Sequence, residues 1–78
     1  MAQNIVGPQV RKFRDQRGWS QEEFAARLQR QGWDISRGTL AKIEAQVRCV
    51  VDSELAMLAR ALELPVGDLF TASNRKTK

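Results

Sequence analysis

The side chains best suited to chemistry lie in a short run of small and cationic residues that begins at Ser36 and ends at Lys42. Arg37 and Lys42 carry long hydrogen-bond donors, whereas Gly38 and Thr39 keep the outline of the run narrow. A helix that enters the major groove of DNA needs a narrow surface near its first turn and donors that reach base edges. The run therefore indicates base recognition, although it also suits an ordinary solvent-exposed helix face.

The sequence contains few residues suited to catalysis or to metal binding. The 78 residues include no histidine and one cysteine, which excludes the usual zinc sites and histidine-based acid–base catalysis. Hydrolysis of phosphodiesters generally needs clustered carboxylates that hold a metal ion. The later acidic residues are instead typical of helix starts and exposed surface, and they are Asp52, Glu54, Glu63 and Asp68. We therefore expect no enzyme, no metal and no other cofactor.

Composition predicts one domain with one hydrophobic core. The hydrophobic share of 42% suits a folded globule, and we place the domain at residues 1–70, its core at about residues 6–70, and a polar basic tail at residues 71–78. No apolar run approaches the roughly 20 residues that span a membrane, and the first eight residues lead us to expect no secretory signal. Since the single cysteine, Cys49, cannot form an intramolecular disulfide, we expect a cytoplasmic protein that does not contact membranes.

The charge permits binding to an anionic polymer without proving it. The net charge is +4 and the isoelectric point is about 10.0, but the excess is uneven along the chain. It lies in the first 19 residues and in the tail after residue 74, whereas the segment between residues 47 and 73 is acidic. A cluster of charge on a helix is more often a solvated face than a binding site, so charge alone does not assign the function.

Apolar spacing and capping residues predict five helical segments and no strand. The first covers about residues 8–16 and ends at Gly18, and the second starts with a capping box at residues 20–23 and ends at Gly32. Ser36 is the expected N-cap of the third, which we place from Ser36 to Gln46. The fourth has leucines and alanine at i, i+3, i+4 and i+7 from Leu55. Pro65 ends it, and residues 66–70 form the predicted fifth helix.

Four motifs carry a resemblance to a known family. They are GWSQEEFA at residues 18–25, SRGTLAKIE at residues 36–44, LARAL at residues 58–62 and LF at residues 69–70. Together they resemble the phage lambda repressor/Cro (XRE-type) helix-turn-helix family over residues 6–70. The resemblance implies a compact five-helix, all-α domain that binds duplex DNA as a homodimer on a two-fold operator. It further implies transcriptional regulation, which we expect to be repressor-like.

The resemblance also implies roles for single residues. The expected phosphate contacts are Ser20, Gln21 and Arg48, and the expected base contacts are Arg37, Gly38, Thr39 and Lys42. A bidentate pair between Arg37 and a guanine discriminates between bases by roughly 1–3 kcal/mol. Arg14 and Glu44 match positions of a partly buried ion pair that ties the first helix to the third, so we expect their role to be structural.

Three departures from the family pattern affect the recognition helix and the loop after it. The connection between Leu28 and Ser36 is longer than the usual tight turn, so the family pattern does not determine the first residue of the recognition helix. Gln46 stands where a left-handed glycine is usual, and a side chain there is strained or forces a different exit. Val51 stands where a Ser or Thr cap is usual. These changes put the loop at residues 46–51, and the direction of Arg48, in question.

Two functions on this fold remain as hypotheses. The first is a dimeric regulator whose dimer face lies near residues 64–70, where Val66 and Phe70 are expected to be exposed in a monomer. The second is an antitoxin-like or adaptor module that binds a protein partner through the outer faces of the fourth and fifth helices. A partner that co-purifies with the chain distinguishes the second from the first, although the two functions can coexist.

Overall fold

The computed structural model describes residues 4–70, which form four α-helices and one 3-10 helix. The α-helices are α1 (Gly7–Gln16), α2 (Gln21–Arg30), α3 (Arg37–Glu44) and α4 (Asp52–Leu62), and the 3-10 helix covers Val66–Leu69. Residues 4–70 contain no β-strand, and the prediction of a compact all-α helix-turn-helix fold is confirmed. The predicted tail at residues 71–78 lies outside the described residues.

The prediction of five α-helices is wrong, because the last segment is only one 3-10 turn. Glu63 takes a left-handed conformation after α4 (φ 60°, ψ 45°), and Pro65 is extended. Two i to i+3 hydrogen bonds then form, from Asp68 N to Pro65 O (3.0 Å) and from Phe70 N to Gly67 O (3.0 Å). A segment this short, with Gly67 within it, closes the tighter 3-10 turn and does not propagate an α-helix.

Local capping chemistry sets the starts of α2 and α3. The Ser20 hydroxyl accepts a hydrogen bond from the Glu23 amide (3.0 Å), and the Glu23 carboxylate accepts one from the Ser20 amide (2.8 Å). The Ser36 hydroxyl accepts a bond from the Thr39 amide (3.1 Å). Each cap of this kind stabilises a helix by about 1 kcal/mol. The predicted recognition helix is therefore α3, which begins at Arg37 and ends at Glu44, two residues before the predicted end at Gln46.

The long connection between α2 and α3 is fixed by backbone and side-chain bonds. The Trp33 amide donates to Leu28 O (3.1 Å), and the Gln29 side chain donates to Ile35 O (2.6 Å). Ile35 is buried in the core, and Trp33 packs against it. The extra residues therefore form an anchored loop. At the end of this loop Ser36 is extended, which is the conformation that an N-cap requires.

The core places α3 between α1 and α2. Its fully buried large side chains come from all four helices and from the 3-10 helix, and they are Val10, Phe24, Leu28, Leu40, Ile43, Leu58, Leu62 and Leu69. α3 packs against both α1 and α2, while α4 packs against α2 and the 3-10 helix. Burial of Leu40 and Ile43 fixes which face of α3 remains outside.

None of the four helices in residues 4–70 combines the length and the apolar character needed to cross a bilayer. In the same part of the chain, no three acidic or thiol side chains are grouped closely enough to hold a metal ion.

The start of α1 makes a close backbone contact that only glycine allows. A Cβ on Gly7 would lie 2.3 Å from the carbonyl oxygen of Ile43 and 3.0 Å from that of Glu44. Gly7→Ala should therefore destabilise the fold by about 3 kcal/mol, as overpacking does, measured by urea denaturation. Gly67→Ala is the matched control, because a Cβ there meets nothing within 4 Å. Equal stability of the two variants would show that the backbones of α1 and α3 are not in close contact at Gly7.

Candidate nucleic-acid interface

α3 has one buried face and one exposed face. Leu40 and Ile43 are fully buried, whereas Arg37, Gly38 and Lys42 are exposed. Gly38 and Lys42 are four residues apart, so they lie one above the other on the same side of the helix. With the small Ala45 exposed beyond them, they form a narrow exposed strip. This strip is accessible to a large partner such as a groove of DNA.

Gly38 has no structural reason to be glycine. A Cβ at this position would meet only the Ser36 hydroxyl oxygen, at 3.8 Å, which is ordinary van der Waals contact. Its backbone is helical, so no left-handed conformation requires glycine either. Glycine inside a helix is destabilising by roughly 0.5–1 kcal/mol relative to alanine. The absence of a side chain is therefore explained best by close approach of something outside the folded chain.

Thr39 lies on the flank of α3 opposite Arg37 and is half-buried. Its hydroxyl oxygen accepts a hydrogen bond from the Ser36 hydroxyl (3.1 Å). A hydroxyl has one hydrogen to donate as well as lone pairs to accept, so Thr39 keeps a donor while its oxygen is held in place. The bond restricts the rotamer of Thr39 at the first turn of the recognition helix.

A chain of hydrogen bonds links the recognition helix to the start of α2. Arg37 Nη1 donates to Gln21 Oε1 (3.3 Å), and Gln21 Nε2 donates to Glu44 Oε1 (3.0 Å). Glu44 in turn accepts from Arg14 at both carboxylate oxygens, at 2.7 Å and 3.0 Å. The structure thus brings together two expected DNA-contacting residues and both residues of the expected ion pair.

The Arg14–Glu44 pair is buried at the meeting point of α1, α2 and α3. Both residues are 8% exposed, and Arg14 Nη1 also donates to Trp19 O (2.7 Å). The hydrogen bond to Glu44 raises the pKa of Arg14, against the opposing effect of burial. Paired and bonded in this way, the two charges are compensated, and they hold Gln21 at the edge of α3.

Ser20 and Gln21 stand at the N-terminus of α2, where unpaired amides favour an anion. Ser20 is exposed and Gln21 is half-buried. A polar cleft of about 270 Å³ runs from Gln21 along α3, and Arg11 of α1 lies on its other side. Sequence reasoning missed Arg11 as a candidate phosphate contact. The signal for it was the excess of positive charge in the first 19 residues.

Arg48 is held by an acidic partner that sequence reasoning also missed. Its Nη1 and Nη2 atoms donate to the two carboxylate oxygens of Glu54, both at 3.0 Å, and Nη1 also donates to Cys49 O (2.9 Å). These bonds use three of the five N–H donors that a guanidinium offers. The hydrogen bond from Arg48 lowers the pKa of Glu54, so the pair stays charged well below neutral pH.

Glu54 supplies one half of a capping box at the start of α4, where a Ser or Thr cap is usual. The Val51 side chain has no oxygen to accept the Glu54 amide, but the Glu54 carboxylate accepts the Val51 amide (3.2 Å). The Arg48 side chain remains 32% exposed, and it does not join the chain of bonds from Arg14 to Arg37. The three bonds described above leave two of its guanidinium N–H donors for a phosphate.

The family of the chain follows from a comparison with known sequence families. A family model described as helix-turn-helix matches residues 10–69, which include all of α2, α3 and α4. The chain belongs to the lambda repressor/Cro-like helix-turn-helix family. This helix-turn-helix protein is therefore a DNA-binding transcription regulator.

A solved structure shares the fold. The crystal structure of the clp gene regulator ClgR from C. glutamicum is similar with a TM-score of 0.79 and 23% sequence identity, and the match covers 100% of this chain and 95% of that chain. At this identity the similarity establishes the fold alone. No curated protein sequence matches the chain.

Loss of the Glu44 carboxylate should be strongly destabilising. Glu44→Ala leaves Arg14 buried without a counter-charge, so we expect the free energy of unfolding to fall by about 3–5 kcal/mol, measured by urea denaturation. Asp15→Ala is the control, because Asp15 also lies near Arg14 (3.4 Å) but its side chain is 59% exposed. We expect that variant to change stability by less than about 1 kcal/mol. A Glu44→Ala protein as stable as Asp15→Ala would contradict the structural role of the pair.

Gly38→Ala should separate stability from DNA binding. Alanine fits the open space and is the better helix former, so we expect stability to rise by about 0.5–1 kcal/mol. We expect affinity for DNA to fall by about tenfold, because the methyl group blocks close approach. Urea denaturation and fluorescence anisotropy with a labelled duplex measure the two effects. A stable variant with unchanged affinity would show that nothing approaches the α3 strip at Gly38.

Proposed function

We propose that this helix-turn-helix protein is a sequence-specific, repressor-like regulator that inserts α3 into the major groove of duplex DNA. The observation that carries the proposal is the exposed strip of α3, with Gly38 and Lys42 in line and no packing reason for the glycine. The buried Leu40 and Ile43 hold that strip outward. Such a strip matches what a recognition helix needs, a narrow profile with long donors beside it.

Within this proposal the contacts divide into anchors and readers. Gln21 and Ser20 bind one phosphate at the N-terminus of α2, and Arg48 binds another beyond α3. Arg37 and Lys42 donate to base edges, Gly38 permits the approach, and Thr39 contacts a thymine methyl group or a phosphate. The bond from Arg37 to Gln21 holds the proposed reader beside the proposed anchor.

We further propose that the regulator binds as a homodimer. Apolar side chains are exposed on the face that carries the 3-10 helix: Val66 is 39% exposed, Phe70 38% and Ile5 70%. Ile5 and Phe70 border a groove of about 300 Å³, and a second copy would cover it. The chain measures 36 × 27 × 22 Å, and successive major grooves on one side of DNA are about 34 Å apart. Two copies side by side therefore fit a two-fold operator.

The similar structure is that of a gene regulator, which supports a regulatory role for this chain. For this chain the proposal is a DNA-binding protein of the cytoplasm, with no catalytic activity of its own. A protein-interaction module is the second candidate, because the same apolar groove can accept a different protein.

In-vitro selection of duplexes from a random pool tests the proposed function. The account predicts enrichment of an inverted repeat with half-sites about one helical turn apart, at moderate salt. Retention of DNA without any consensus would overturn sequence-specific regulation and favour the interaction module. Sedimentation of the complex with the selected duplex then gives the number of chains bound, which we expect to be two.

Substitution of a reader and of an anchor should have different signatures. Arg37→Ala should lose roughly 1–3 kcal/mol of discrimination at one base pair per half-site and leave other positions unchanged. Gln21→Ala should weaken binding to all duplexes by a similar factor, because a phosphate contact carries no sequence information. Repeated selection with each variant measures both effects, and Arg60→Ala, an exposed arginine on α4, is the charge control. Uniform weakening by both variants would contradict the division.

A further inference from the structure

The segment before α1 is bonded to the end of the recognition helix. The side-chain amide of Asn4 donates to Ile43 O (3.2 Å) and to Arg48 O (2.7 Å), and its side-chain oxygen accepts the Gly7 amide (2.7 Å). The main-chain oxygen of Asn4 accepts a bond from Gln46 Nε2 (2.9 Å). One residue thus holds the last turn of α3, the loop that follows it and the start of α1.

These bonds act at the end of α3, where few other contacts fix the direction in which the backbone leaves the helix. The last carbonyls of a helix lack partners within the helix, and here the chain leaves α3 through Gln46 at φ 66°. Two residues later comes Arg48, whose own carbonyl is one of the Asn4 contacts. The position of the Arg48 backbone therefore depends on a residue more than forty positions earlier in the sequence.

The bond from Gln46 accounts for the departure from glycine at this turn. A left-handed conformation is unfavourable for a residue with a Cβ, and glycine would adopt it freely. Glycine, however, has no side chain to donate to Asn4 O. A net hydrogen bond contributes about 1 kcal/mol, which offsets strain of similar size. The glutamine keeps the turn and adds a bond to the segment before α1.

We propose that Asn4 is a positioning residue for DNA binding: together with Gln46 it fixes the exit of α3 and so directs Arg48 toward a phosphate. The inference rests on the proposed function, in which Arg48 is an anchor. Glu54 sets the position of the Arg48 guanidinium, and Asn4 sets the position of the Arg48 main chain. The loop after α3 is thereby held from both sides, and neither contact lies on the α3 strip itself.

The test compares salt dependence among variants on one selected duplex. Each phosphate contact contributes about −0.9 to the slope of log affinity against log salt concentration. Arg48→Ala should make this slope less steep, by about 0.9 per protomer, and weaken binding about tenfold. Asn4→Ala should reproduce most of both changes, although it removes no charge. The double variant should bind no more weakly than Arg48→Ala alone, because both remove the same phosphate contact.

Gln31→Ala is the matched control. Its side-chain amide also donates to a backbone carbonyl, that of Met57 (3.0 Å), in a contact between elements distant in sequence. It is expected to lower stability as Asn4→Ala does while leaving the salt slope unchanged. Gln46→Gly is the second variant in case Asn4→Ala does not fold, since glycine keeps the turn and loses only the bond to Asn4. We expect it to fold and to make the salt slope less steep, as Asn4→Ala does.

The outcomes separate this inference from the proposed function. If the wild-type protein selects no consensus, the proposed function fails, and the inference falls with it. If the wild type binds specifically and Arg48→Ala makes the salt slope less steep, while Asn4→Ala and Gln46→Gly behave like Gln31→Ala, only the positioning role is overturned. Additive losses in the Asn4→Ala, Arg48→Ala double variant also overturn it, because the two residues would then act independently.

Discussion

Two opposite charges, Arg14 and Glu44, are buried together where α1, α2 and α3 meet, and the candidate interface is built around them. Glu44 is the last residue of α3, so its bonds to Arg14 fix the recognition helix to α1. The same carboxylate accepts Gln21, which places the N-terminus of α2 beside α3. Because loss of either partner would leave an uncompensated buried charge, one carboxylate sets the spacing between the proposed phosphate anchor Gln21 and the proposed base readers on α3.

The recognition helix is held differently along its length. Leu40 and Ile43 fix its rotation through burial, and Ser36 fixes its first turn through a cap. Its last turn depends on the contact with Gly7 and on the bonds from Asn4. These constraints leave the strip with Gly38 and Lys42 exposed without making it mobile. DNA recognition of the proposed kind needs such a preorganised surface, because ordering side chains on binding weakens affinity.

Sequence reasoning from the residues alone succeeded where the determinants are local, whereas the expectation of the long-range Arg14–Glu44 pair came only from the family resemblance. The caps at Ser20 and Ser36 act within four residues, so a short window of sequence contains their signal. The last segment was misjudged because one turn is too short to show whether it is α or 3-10. The Glu54 partner of Arg48 and the bonds of Asn4 escaped notice, because they depend on the loop conformation and on contacts between distant segments. The Gln46 departure was the visible sign that this loop is built differently.

The most direct measurement of the central claim, that α3 and the start of α2 form the DNA-binding surface, is a backbone NMR titration of the protein with a selected duplex. The account predicts that amide shift changes concentrate at residues 20–22, 36–42 and 48, and that the amides around Leu62 in α4 change little. Changes centred instead on residues 64–70, with α3 unaffected, would contradict it. That result would place the interaction surface on the apolar groove beside the 3-10 helix.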